Sequence, residues 1–302
     1  MKSTLIALAL TFAVEGIALP ALADTENSEA KGEAEAELVG PTAEDAKADM
    51  ANWRAVDPER LFIFETTKGR ILIEAFPDVA PKHYEQFSNL IRSGDYDGTT
   101  FHRVLNGFMA QGGDIFALHG RESGLPDIPG EFTFQRDPAV MPLDAAIGPL
   151  DSSKHGYING FPIQTQPQFL AEMSASGMVE TYIPHCRGVV STARTTDPDS
   201  AKAQFFLMRD HSPHLDRAYT AWGRVVEGER TVLKIKAGPK PDGTVKDPDI
   251  LTSAKVAADL PADSRPQVWV MRTDGPAFIA DLVTKGEVPV CDLSSVAAVV
   301  EG

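Results

Sequence analysis

Arg103 and Gln111 stand inside a run, FHRVLNGFMAQGGD from Phe101 to Asp114, that otherwise reads as two short apolar strands. A core strand has no use for an unpaired guanidinium, because burying one is costly. Beside Phe108 and Met109 a fixed cation does have a use. Arginine stays protonated and presents a planar set of donors. With a glutamine amide and an apolar slot, it can seat an apolar ring, hold flanking carbonyls and favour a lone pair that develops during a reaction. That is electrostatic preorganisation, and it needs no nucleophile, metal or proton relay. Met109 and Gln111 are two apart, so on a strand they face the same side.

Other chemistries find little support. Gly112 and Gly113 lack the glycine spacing, lysine and following helix of a phosphate loop. His211 and His214 are spaced H-x-x-H and His185 adjoins Cys186, but no further ligand has telling spacing, so no metal and no cofactor are expected. No segment has the G-x-S-x-G form of a nucleophile elbow. The net charge of −15 argues against nucleic acid and anionic membrane surfaces as partners.

The elements that must position these residues are mainly β. LFIFETTKGRILIEAF, from Leu61, reads as a hairpin turning at Gly69. Tyr84, Phe87, Leu90 and Ile91 recur at helical spacing between Pro81 and Gly94. Short β-type runs follow at Phe101–Val104, Phe108–Gln111, Gly188–Ala193, Gln204–Met208 and Tyr219–Val226. GERTVLKIKAG gives a second helix and DPDILTSAKVAADL a late strand. Many short strands with two helices indicate a barrel or a sandwich over residues 60–260.

Three segments stand apart from that domain. Lys2, the apolar run Thr4–Val14 and the small residues Ala21–Ala23 have the pattern of a secretory signal peptide cut near Ala23, with no other membrane segment expected. Residues 24–59 hold eleven acidic and three basic residues, a charge of −8, with few apolar groups, and read as a disordered acidic tether. Residues 136–184 are rich in proline and lack a period, which reads as a long loop insertion. Residues 261–302 form a C-terminal extension in which QVWVMR suits a strand and AFIADLVTKG a short helix. The cysteines, Cys186 and Cys291, either pair or remain separate thiols; pairing across so long a loop is worth ~4–5 kcal/mol in the chain-entropy model. An export signal places the mature chain in a periplasm or outside the cell, where pairing is allowed.

Two long motifs carry a resemblance. TTKGRILIEAFPDVAPKHYEQFSNLIRSGDYDGTTFHRVLNGFMAQGGD and GVVSTARTTDPDSAKAQFFLMRDHSPHLDRAYTAWGRVVEG resemble the cyclophilin family of peptidyl-prolyl cis–trans isomerases, and look most like its secreted bacterial members. The likeness spans about Leu61–Leu260, interrupted by the insertion. It implies a closed eight-stranded antiparallel barrel capped by two helices. It also implies Arg103 and Gln111 as catalytic residues and Phe108 and Met109 as the lining of a proline slot. Phe206 falls at the pocket floor, Leu215 at a pocket leucine, and Gln204 near the catalytic arginine. Ala193 and Arg194 fall where the family binds substrate backbone; many members have asparagine at the latter, which sets the Arg194 side chain apart. Tyr219 stands where many members carry histidine. His214 stands where eukaryotic members carry a tryptophan that favours cyclosporin, so weak cyclosporin binding is implied.

The reaction so implied suits the residues. Amide resonance imposes a barrier of about 18–20 kcal/mol on X–Pro rotation, and uncatalysed exchange takes ~10–100 s. Rotation destroys the resonance and gives the nitrogen a lone pair, which is what Arg103 would favour. Substrates are expected to be unfolded or extended proline-containing chains, with folding of exported proteins as the result. The alternative is a catalytically weak holdase or assembly module of the same fold.

Overall fold

The computed structural model describes residues 40–120, 124–293 and 295–302. The expected signal peptide and the tether over 24–39 lie outside the described residues. The apolar runs become eight antiparallel strands: β1 (Leu61–Thr66), β2 (Gly69–Ala75), β3 (Arg103–Leu105), β4 (Met109–Gly112), β5 (Val189–Thr192), β6 (Phe205–Met208), β7 (Ala221–Glu227) and β8 (Leu251–Val256). They pair in the order β8-β1-β2-β7-β5-β6-β4-β3. The sheet curls, and isolated bridges, Thr100 to Ile250 and Arg103 to Thr244, link the segments beside its two edge strands. The eight-stranded antiparallel architecture is the expected one; its seam carries isolated bridges in place of a continuous ladder.

The run LFIF has no polar alternation because both faces of β1 are covered. Phe62 and Phe64 join the main core with Ile71 and Ile73. Leu61, Ile63 and Leu72 face the other way, against Val268 and Val270 of the C-terminal extension. Helix α1 (Pro81–Arg92) buries Phe87, Leu90 and Ile91 and stacks Phe87 on Trp222 at 4.6 Å. Helix α2 (Glu229–Lys234) is the second expected helix.

The tether and the insertion differ from expectation. From Thr42 onward the acidic segment is ordered. Thr42 and Asp45 form a reciprocal capping box on the helix Ala43–Ala48, and Trp53–Ala55 pairs with the strand Gln267–Met271. Trp53 and Trp269 pack together there over Ala46. Acidic composition concealed this because the apolar partner comes from the far end of the chain. The insertion is no loop. Phe134–Arg136, Val179–Tyr182, Phe161–Thr165, His155–Ile158 and Ala145–Ala146 form a five-stranded sheet in that order. Strands of two to five residues are too short to display a period. In the extension, QVWVM is a strand, as expected, and Pro276–Lys285 a helix; Ala298–Glu301 adds a strand that the sequence did not suggest.

The three added segments converge. Arg54 donates to the Asn159 carbonyl at 2.7 Å, and the Gly160 N–H donates to Thr273 at 3.0 Å. Cys186 and Cys291 are disulfide-bonded with Cα atoms 4.9 Å apart, which joins the barrel to the extension. Buried Glu74 of β2 accepts from Arg224 of β7 at 2.8 Å and pairs with Arg54 at 2.7 Å. Burial pushes the Glu74 carboxyl upward, but Arg224 and Arg54 outweigh it and hold the pKa below the ordinary carboxylate range. Among the described residues no helix is long and apolar enough to cross a membrane.

Candidate active site

The strand register places the expected residues on one line. Gln111 stands opposite Arg103 on β3 and opposite Phe206 on β6, and Phe206 stands opposite Ser191 on β5. Residues directly opposite in a sheet share a face, so cation, amide and aromatic floor lie side by side. One row up, Met109 stands between Leu105 and Met208. The strand carrying Met109 and Gln111 ends at Gly112, and Gly113, just after it, has φ +77°. A Cβ there would stand 2.7 Å from Phe205 and 2.9 Å from Tyr96.

Arg103 is held from two sides. Its Nε donates to the Asp242 carbonyl at 2.8 Å and its Nη1 to Gln111 Oε1 at 3.3 Å. It is half-buried, and among the described residues no carboxylate pairs with it. An arginine can only donate, so Gln111 presents its oxygen to Arg103 and its Nε2 to Gln204 Oε1, at 2.8 Å. Arg103, Gln111 and Gln204 thus form a hydrogen-bonded chain along the groove with the guanidinium at its head, a preorganised positive field.

The apolar slot lies beside this chain. Phe206, Met109 and Leu215 are buried, while Phe108 and Tyr219 are half-exposed around them in the same cluster. Phe108 has the Arg103 guanidinium 6.0 Å from its ring centre and His214 stacked at 5.4 Å. Tyr219 meets Phe206 edge-on at 5.9 Å. The floor is therefore rigid and buried and the rim aromatic and wet, a shape suited to an apolar ring on an otherwise polar chain. A cavity of about 540 Å³ lies elsewhere, beside Cys186 and Cys291, and none of these residues lines it.

Ala193 and Arg194 sit at the groove edge, with protein partners of their own. The Ala193 N–H donates to the Gln204 carbonyl at 2.8 Å. The Arg194 guanidinium donates to the Ala218 carbonyl, at 3.1 and 2.8 Å, and to the Thr195 carbonyl at 2.8 Å. It lies 4.4 Å from the Tyr219 ring and 5.7 Å from Phe132. The Arg194 side chain is thus occupied in fixing the pocket rim. Asp242 and Phe132 were invisible to sequence reasoning, because each meets the site from a distant loop.

The model of the cyclophilin-type peptidyl-prolyl cis-trans isomerase/CLD family matches residues 61–256. A probable peptidyl-prolyl cis-trans isomerase of Brucella abortus (strain 2308) is 35% identical over 206 residues, covering 68% of this chain and 86% of that protein. The crystal structure of the cyclophilin AquaCyp293 from Hirschia baltica superimposes with a TM-score of 0.82 at 48% identity, covering 87% of this chain and 98% of that one. That share exceeds residues 61–256, so the likeness reaches into the added segments. The chain belongs to the cyclophilin-type peptidyl-prolyl cis–trans isomerases.

Proposed function

We propose that this isomerase rotates X–Pro bonds in extended segments of exported proteins by stabilising the twisted amide, with no covalent intermediate. The observation that carries the reading is Arg103: a cation fixed by Asp242 and Gln111, unpaired by any described carboxylate, beside a buried apolar floor. Phe206, Met109, Leu215 and Phe108 seat the proline ring. Gln111 and the Arg194 N–H hold the flanking carbonyls, and the Ala193 carbonyl accepts from the substrate backbone. As the amide twists, its nitrogen pyramidalises and Arg103 favours the new lone pair more than the planar ground state. His214, small and exposed, supports weak cyclosporin binding. The N-terminal pattern of residues 1–23 supports export to a periplasm and cleavage near Ala23.

A second role, gripping client chains, draws support from the insertion. Phe169, Met173 and Met178 are 43%, 78% and 39% exposed. Refolding of a client whose slow phase is limited by proline isomerisation tests both readings. The chain is expected to accelerate that phase catalytically at substoichiometric amounts, and the triple serine variant of those three residues to lose part of that acceleration while keeping its rate on a short X–Pro peptide. An unaccelerated phase contradicts the isomerase reading in this setting. A triple variant equal to the parent contradicts the gripping role.

A further inference from the structure

His185, which has no part in the chemistry above, lies directly behind the pocket. It is completely buried, and its ring is 6.0 Å from the Phe206 ring with 22° between their planes. Its backbone N–H and its Nδ1 both reach Asp216 Oδ1, at 2.7 and 2.9 Å. Its carbonyl accepts the Ser212 N–H at 3.1 Å. Ser212 opens and Asp216 closes the 3₁₀ turn Pro213–Leu215, which carries His214 and Leu215. One residue therefore grips both ends of the turn that walls the proline slot, and backs the aromatic floor.

The hydrogen bonding defines its state. A carboxylate only accepts, so Nδ1 carries the proton. Nε2 has no hydrogen-bond partner among the described residues. Burial, together with nearby His214 and His211, lowers the pKa of the ring despite the pull of Asp216. A metal does not account for the cluster: among the described residues no three His, Cys, Asp or Glu side chains are arranged to hold one.

We propose that His185 is a positioning residue for the proline slot, setting the Ser212–Asp216 turn through Asp216 and so the fit of Leu215 and Phe206 to the ring. The inference rests on the isomerase reading above for the identity of the ligand. Leu215 and Phe206 meet the ring in the planar and the twisted amide alike. Loosening them removes uniform binding, which raises KM and leaves kcat in place. Loss of Arg103 does the reverse.

The test uses the full chain and an X–Pro peptide, with KM and kcat from exchange NMR and Kd from chemical-shift titration. His185→Ala is expected to raise KM and Kd roughly tenfold, equal to about 1.4 kcal/mol, with kcat within about twofold. His185→Asn, whose amide donates to Asp216 in place of Nδ1, is expected to return both to within about threefold of the parent. If His185→Ala does not fold, Asp216→Asn keeps the ring packed and weakens only the charged bond; KM and Kd then rise about threefold. Unchanged KM and Kd in the folded variants, a fall in kcat alone, or an asparagine variant no better than alanine would overturn the proposal. Kd does not depend on turnover, so a parent chain that binds without turning over contradicts the isomerase reading and leaves the positioning claim decided on binding.

Discussion

The field that Arg103 supplies depends on where its anchors, the Asp242 carbonyl and Gln111, hold the guanidinium. Gln111 is one of those anchors, and its amide is oriented by Arg103 on one side and Gln204 on the other. Gln111→Ala leaves the guanidinium attached only at the Asp242 carbonyl. The expected result is a fall of about tenfold in kcat/KM, the worth of one ordinary hydrogen bond, measured in a coupled peptide assay with an unchanged melting temperature. Arg103 and Gln111 were legible in the sequence because their types contradict the apolar run around them. The contacts made by the side chains of Arg194 and His185 were not. Arg194 reaches the Ala218 carbonyl and His185 reaches Asp216 across loops whose proximity no spacing reveals.

Helix α1 begins without a side-chain cap of its own at Ala80. Glu131 supplies it from the loop that precedes the strand Phe134–Arg136, accepting the N–H groups of Lys82 and His83 at 3.1 Å each and pairing with His83 Nδ1 at 2.7 Å. Burial pushes the Glu131 carboxyl up, and these donors outweigh it, so the folded-state pKa lies below the ordinary one. Stability from this group is therefore full above about pH 4.3 and is lost as the pH falls through the depressed value. Glu131→Gln is expected to cost ~1–2 kcal/mol at neutral pH in denaturant unfolding, with the gap to the parent closing in acid. A gap that is independent of pH contradicts this role. A second test is Gly113→Ala, which forces a Cβ into Phe205 and Tyr96 at positive φ; a loss of more than ~1 kcal/mol is expected. The barrel strands could be read from their apolar runs. The five short strands of the insertion could not, since strands of this length leave pattern and proline content indistinguishable from loop. The capping box at Thr42 and Asp45 was a readable signal within the acidic stretch, but charge density masked it.

Across the whole molecule, the added segments are attached to the barrel by a buried ion cluster and a disulfide. Glu74→Ala leaves Arg224 and Arg54 facing each other without their shared anion; breaking such a buried set costs ~3–5 kcal/mol, read as a lowered denaturation midpoint. Cys291→Ser opens a loop of sequence separation 105 and is expected to cost ~2–5 kcal/mol. The sequence left pairing undecided because nothing within it brings residue 291 back to residue 186; the strand Gln267–Met271, laid on β1 through Val268 and Val270, and the burial of Val290 in the main core do so. The most direct test of the groove's action is exchange NMR on an X–Pro peptide at equilibrium with the parent, Arg103→Lys and Arg103→Ala. Strong acceleration by the parent is expected, with a loss of about 10²–10³ in kcat for Arg103→Ala, an intermediate loss for Arg103→Lys and all three folded. An Arg103→Ala variant that keeps the parent's kcat would contradict the proposed role of Arg103.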